Sequence, residues 1–310
     1  MKKYCFGVDV GGTTVKCGLF QVDGTLLDKW EIETRTENDG DKILPDIAQT
    51  ILEKLKERQI PREDVAGIGV GVPGPVNAKG DVLCAVNLFW GYKKVSQELE
   101  EMTGIPAKTG NDANVAALGE AWKGAAEGME NVVMVTLGTG VGGGIIVNGK
   151  MIAGRHGASG EIGHINVDHN EKDRCNCGNQ GCLEQMASAT GIVRLARKAL
   201  DNEETPSILR DVELSAKAVF DAYKENDVLA GKVVQEFADY LGGAIASVTC
   251  VVDPEAVVIG GGVSKAGQPL LDCVKKYYQK YAFTACKETP IILASLGNDA
   301  GIYGAAKMVL

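Results

Sequence analysis

The 310-residue chain has no excess of positive charge: 32 lysines and arginines stand against 41 aspartates and glutamates, a net charge of −9. That balance argues against a nucleic-acid or anionic-membrane partner, which would need a basic patch. No apolar run is long enough to cross a bilayer. The start, M-K-K-Y-C-F-G-V-D-V, lacks the apolar core and cleavage site of a secretory signal. A disulfide framework is missing as well. Of nine cysteines, Cys5, Cys17, Cys84, Cys250, Cys273 and Cys286 are scattered without regular spacing, the pattern of reduced, mostly buried thiols. These absences lead to a cytoplasmic expectation. What is plentiful is glycine, 40 residues clustered at a few strand ends, where backbone can approach a ligand. With 45% hydrophobic residues the chain can bury a sizeable core, and its length suits about two domains.

The remaining cysteines lie in residues 160–184, G-E-I-G-H-I-N-V-D-H-N-E-K-D-R-C-N-C-G-N-Q-G-C-L-E. His164, Cys175, Cys177 and Cys182 form a tetrahedral zinc set. All four ligands come from the protein, so the expected site is structural rather than catalytic. Glu161 and Glu184 stand at the two ends of this loop, and His169 lies in an acidic stretch (168–173) that reads as solvated.

Residues 4–10 read as an apolar strand ending in D-V-G-G-T, with a second strand at 15–20 and a third at 26–33. Gly11, Gly12 and Thr13 can cradle phosphate oxygens, with Asp9 suited to a hydrated magnesium ion; an ordinary hairpin fits equally well. A second copy of this layout follows strand 132–137: G-T-G-V-G-G-G, including Gly138, Thr139 and Gly140, leads into a strand at 145–147. Two such hairpins suit a polyphosphate. Near-matches to dinucleotide and P-loop patterns at 69–74, 138–143 and 144–150 are rejected, because prolines or strands stand where a helix is required.

Elsewhere, a buried strand at 65–72 runs into G-V-P-G-P-V-N, a rigid loop suited to a small ligand. Asp112, in G-N-D-A-N, sits at a strand-to-helix junction, where aspartate is also a common helix cap. Asn111 and Asn114 beside it exceed what one cap needs. Gly260, Gly261 and Gly262 follow a strand at 256–259 and precede a helix at 268–281, an arrangement that either faces a nucleotide or makes a tight turn.

Taken in order, D-V-G-G-T, G-V-P-G-P-V-N, G-N-D-A-N, T-L-G-T-G-V-G-G-G, G-E-I-G-H and C-x-C-G-x-x-G-C-L-E resemble the ROK family of sugar kinases over nearly the whole chain. Within the family the pattern is most similar to the bacterial glucokinases. The resemblance implies an α/β fold of the two-domain actin-like ATPase (hexokinase, ribonuclease H-like) type with an interdomain cleft. Residues 1–120 would form the smaller domain, with helix 298–310 packing back on it, and 121–297 the larger domain carrying the zinc loop, 164–182. It also implies ATP-dependent phosphorylation of a hexose, glucose, at the 6-hydroxyl, with ATP, Mg2+ and structural Zn2+ as cofactors. Asp112 would be the general base. Gly74, Asn111, Asp112, Glu161, His164 and Glu184 would bind the sugar. Asp9, Gly11, Gly12, Thr13, Gly138, Thr139, Gly140 and Gly260 to Gly262 would hold ATP and magnesium. Another hexose (fructose, mannose, allose or an N-acetylhexosamine) or polyphosphate as donor fits the same residues. A homo-oligomer, dimer or tetramer, is the family's habit. The family's repressors carry a helix-turn-helix before the first strand, and here the strand starts at Tyr4. Met186 departs from the aromatic residue often found after the zinc loop, at the expected wall of the sugar pocket.

Overall fold

The computed structural model describes residues 2–310. In chain order its elements begin with strands β1 (Tyr4–Val10), β2 (Thr14–Gln21) and β3 (Leu26–Glu33), a short turn α1 (Glu37–Gly40) and helix α2 (Ile43–Glu57). Strand β4 (Val65–Val72), helix α3 (Val95–Thr103), strand β5 (Ala107–Asn111) and helix α4 (Asp112–Lys123) follow. Next come strands β6 (Val132–Leu137), β7 (Val141–Val147) and β8 (Lys150–Met151), then helices α5 (Leu183–Ala187), α6 (Ala189–Asn202), α7 (Ala216–Lys224) and α8 (Val228–Val252). Strand β9 (Ala256–Gly260), helix α9 (Gln268–Tyr281), strand β10 (Ile291–Leu293) and helix α10 (Ala300–Met308) complete the chain.

The chain divides into two compact units. Unit 1 takes Met1–Glu130, Gly144–Gly160 and Ser295–Leu310, and unit 2 takes Asn131–Gly143 and Glu161–Ala294. A single cut at residue 120 does not describe this division, because it severs α4, which continues to Lys123. It also separates residues 144–160 from α4, yet Gly144 lies so close to that helix that a Cβ there would meet the Ala117 Cβ at 2.6 Å.

The first sheet has the order β3-β2-β1-β4-β5. Its first three strands are antiparallel, and β4 and β5 run parallel to β1. Strand β4 is apolar almost throughout because both faces are covered. On one face Ile43, Ile47, Ile51 and Leu55 of α2 recur every four residues and are buried, with Leu99 of α3 joining them. The C-terminal helix α10 is also part of unit 1. A Cβ on Gly7 would meet the Ile302 carbonyl oxygen at 1.9 Å, and one on Gly69 the Ala305 oxygen at 1.7 Å. Glycine in the strands and small residues in the helix are thus what let backbone pack on backbone.

The second sheet has the order β10-β9-β6-β7-β8, with β6, β9 and β10 parallel. In unit 2 the long helix α8 buries Val233, Val234, Phe237, Leu241 and Ile245, and it shares the core with Leu270 and Val274 of α9. Strand β7 begins at Val141, earlier than the expected 145, so three glycines that read as a turn are in extended strand. No helix among the described residues is long and apolar enough to cross a membrane.

Candidate active site

In unit 1 the candidate residues gather where the parallel strands β1, β4 and β5 end. Asp9 is the penultimate residue of β1, pairing with Lys16 on β2 and Gly71 on β4. Helix α10 closes on it so tightly that a Cβ on Gly301 would meet the Asp9 Oδ2 at 2.6 Å. Burial, followed by the neighbouring Asp112 charge, pushes the Asp9 carboxyl up to about 6, with Lys16 pulling the other way.

At the end of β5 the helix cap is Asn111, not Asp112. The Asn111 Oδ1 accepts from the Asn114 backbone N–H at 3.1 Å, while its Nδ2 donates to the Gly74 carbonyl at 3.1 Å and to the Asp112 Oδ1 at 3.0 Å. That oxygen of Asp112 also accepts from the Ala113 N–H at 2.8 Å. The carboxylate is therefore oriented from two sides without serving as the cap. Gly74 has φ +92°, and a Cβ there would meet the Cys84 carbonyl oxygen at 2.3 Å, so the proline-rich loop demands glycine. Asn114, 4% exposed, is a strut: it donates to the Ser159 carbonyl at 3.2 Å and accepts from the Ile145 N–H at 3.3 Å.

Each glycine hairpin is held by a threonine that the sequence reading passed over. In unit 1 the Thr34 hydroxyl donates to the Gly11 carbonyl at 2.7 Å, and the Thr34 N–H donates to the Thr13 carbonyl at 3.0 Å. In unit 2 the Thr190 hydroxyl donates to the Thr139 carbonyl and the Ala189 N–H to the Gly138 carbonyl, both at 2.8 Å. In a trans peptide the N–H points opposite the carbonyl. Tying these carbonyls down therefore turns the N–H groups of Gly12 in one hairpin, and of Thr139 and Gly140 in the other, away from the tether. That is the posture for anion binding. The S-A-T signal of Ser188 capping α6, with Thr190 two residues on, was available in the sequence.

Glu184, on α5, belongs to this second hairpin as well as to the cysteine loop. Its Oε2 accepts from the Val141 N–H at 3.0 Å, and its Oε1 lies 3.7 Å from the Cys175 Sγ. A side chain at Gly140 would collide with Oε2 at 2.2 Å. Gly260 closes β9, and Gly261, with φ +83°, lies against the backbone of Leu137. A 3-10 turn over Gly262–Ala266 then precedes α9, so the α-helix does not start directly from the glycines. Met186 is 2% exposed in the core of unit 2.

The donor atoms of His164, Cys175, Cys177 and Cys182 all lie within 4.8 Å of one another. Cys177 and Cys182 Sγ are 3.6 Å apart, and Cys175 Sγ is 3.8 Å from the His164 Nδ1. Four donors about 2.0–2.3 Å from a common centre have such separations, so the set fits zinc. The other imidazole nitrogen, Nε2, faces the Glu161 Oε2 at 3.8 Å. Burial raises the Cys182 thiol to about 12, while the Asn179 N–H pulls Cys177 down. A thiol-binding metal would thus release protons on entering. Gly181, with φ +72°, brings the loop onto the Asp168 carbonyl. The acidic stretch 168–173 is not simply solvated: Arg194 binds Glu171 at 2.6 Å and Asp173 at 3.0 Å, and Glu171 keeps only 10% of its side chain exposed. His169 is exposed and outside the donor set.

Comparison with known proteins identifies the family. The family model "ROK family" matches residues 5–310. A glucokinase from Halalkalibacterium halodurans is 43% identical, over 99% of this chain and 95% of its own length. A glucokinase from Thermotoga maritima is 36% identical over 98% and 96%. Among solved structures, a ROK family glucokinase from Streptomyces griseus in complex with glucose and AMPPNP superposes with a TM-score of 0.77. It is 32% identical, and 98% of each chain is covered. The expected α/β fold of this family is borne out.

Proposed function

The chain belongs to the ROK family, and from that premise we propose that it transfers the γ-phosphoryl group of ATP to the 6-hydroxyl of glucose. The observation that carries the chemistry is the Asp112 carboxylate, oriented by Asn111 and Ala113 at the end of β5 while Asn111 does the capping. A carboxylate oriented in this way suits a general base. It takes the proton from O6 as that oxygen attacks phosphorus and the bridging oxygen leaves with ADP. Such a base contributes roughly 10²–10⁴ in rate.

Asn111, Gly74, Glu161, His164 and Glu184 are assigned to the sugar. Hexose hydroxyls are donors, and carboxylates accept them in the stronger, charge-assisted bonds. The outward N–H groups at Gly12, Thr139 and Gly140 are assigned to phosphate oxygens, with Asp9, Gly11 and Thr13 on the first hairpin, Gly138 on the second and Gly260 to Gly262 beside the nucleoside. Asp9 would hold magnesium, whose charge offsets the repulsion between Asp9 and Asp112 and neutralises phosphate. His164, Cys175, Cys177 and Cys182 would hold zinc as a brace that fixes the loop and the His164 ring. The working form is assigned as a cytoplasmic homo-oligomer, which sedimentation velocity checks.

A coupled assay over a panel of hexoses with ATP and magnesium tests the reading. Glucose should give the highest kcat/KM; a better hexose would reassign the substrate. Asp112→Asn should lower kcat by at least about 10²-fold with glucose affinity kept within a few-fold. Retained turnover would remove the base.

A further inference from the structure

Unit 1 contains a recess of about 1000 Å³ that includes none of the residues assigned above. Its lining runs against the charge of the chain. Lys79, Lys94, Lys108, Lys150 and Lys307 surround it, against only two acidic side chains, Asp81 and Glu100, in a protein of net charge −9. The two acids are already engaged. The Asp81 Oδ2 accepts from the Asn77 Nδ2 at 3.1 Å and the Tyr92 hydroxyl at 2.9 Å, and the Glu100 Oε1 accepts from the Ala107 N–H at 2.8 Å. Among the described residues, by contrast, none of the five lysines has a carboxylate within ion-pair distance. Lys108 donates to the Met308 carbonyl at 2.7 Å, and Lys307 lies over the Trp122 ring; Lys79, Lys94 and Lys150 are exposed and make no direct ion pair, Lys94 and Lys79 meeting the Asp81 charge only at longer range.

We propose that this recess binds a small phosphorylated compound carrying two or more negative charges. Five ammonium groups outnumber the two carboxylates of the recess, with Asp81 answering Lys94 and Lys79 only at longer range, and a polyanion offsets the remaining repulsion at several lysines at once. A concave site at the upper end of the usual 300–1,000 Å³ range, about the size of a metabolite, does not fit a flat membrane face. The acidity of the whole chain opposes an extended nucleic acid at longer range. The floor supplies polar groups for the ligand's body: the Ser96 and Thr109 hydroxyls are paired at 2.7 Å, with Gln97 beside them. Lys108 and Thr109 stand on β5, the strand that ends in Asn111 and Asp112, so an occupant rests on the strand that carries the proposed base.

Calorimetric titration of the full chain tests this, with glucose and a non-hydrolysable ATP analogue present to fill the active site. Pyrophosphate, glucose 6-phosphate and phosphate-free sorbitol are the probes. One saturable site for the phosphorylated probes is expected, weaker at raised salt and absent for sorbitol. Lys94→Gln combined with Lys150→Gln should weaken it by about tenfold or more, with kcat and melting temperature unchanged. If that pair disturbs folding, Lys79→Gln with Lys94→Gln gives the same reading. Tighter glucose 6-phosphate identifies a sugar phosphate as occupant, and tighter pyrophosphate an inorganic polyanion; either supports the site. Absence of saturable binding, or binding indifferent to both pairs of substitutions, overturns it. The readout is heat of binding, so failure of the kinase reading would appear separately, in the turnover assay.

Discussion

Asp9 shows how a single residue trades stability for a ligand. Its carboxyl is raised from the ordinary 3.8 to about 6, chiefly by burial. The native state therefore holds a proton that the unfolded chain has released, and stability falls as pH rises from about 4 to about 6. At about 1.4 kcal/mol per unit, the full cost above pH 6 is of the order of 3 kcal/mol. Asp9→Asn should remove it. In urea titrations with EDTA present, the variant should gain up to about 3 kcal/mol at pH 7.5 and almost nothing at pH 4, while losing activity. An equal gain at both values would contradict the ionisation account. At this scale the sequence was informative about which residues matter and silent about how they are held. The string G-N-D-A-N left cap and base unresolved because either residue chemistry suits a helix start, and only the bond from Asn114 to Asn111 separates them. Thr34 and Thr190 escaped notice because a tether from outside a motif leaves no trace within it.

Helix α4 is anchored by a buried carboxylate that the sequence reading did not single out. Glu120, fully buried, accepts from the Ala125 N–H at 2.8 Å, the Ser295 N–H at 3.1 Å and the Leu296 N–H at 2.9 Å. Glu120→Ala orphans those donors and should cost at least about 3 kcal/mol in denaturant unfolding, with little change in KM for the protein that remains folded. The cysteine loop is the other dependent element. Metal analysis should give about one zinc per chain, and Cys177→Ser should lose both the metal and most of the glucose affinity. A zinc-free variant with ordinary glucose affinity would remove the brace. Strands and long helices were legible because their apolar runs and periods are strong: β1, β4 and α9 lie where the pattern puts them. The early start of β7, the brief α5 and the 3-10 turn after β9 were not. Gly144 in β7 serves close approach rather than turning, Gly261 does both, and the five residues of α5 carry no period.

For the whole molecule, the partition is not a cut in the sequence but an interleaving. Unit 1 is assembled from three separate stretches. Truncation after residue 294 should consequently abolish soluble folding, because it uncovers Gly7 and Gly69 along the backbone groove that α10 fills. Expression of that truncation with a solubility assay checks it. Saturating ligands should raise the melting temperature of the intact chain, by mass action worth about 2.7 kcal/mol at a hundredfold excess over Kd.

The close seating of α10 on β1 also bears on synthesis. Strand β1 leaves the ribosome long before the helix that covers it, with nearly every other element made in between. Between the two, the nascent protein exposes a bare sheet face with its glycine groove open. That face can close only once residues 300–308 have emerged, and until then the growing chain exposes the kind of surface that chaperones bind.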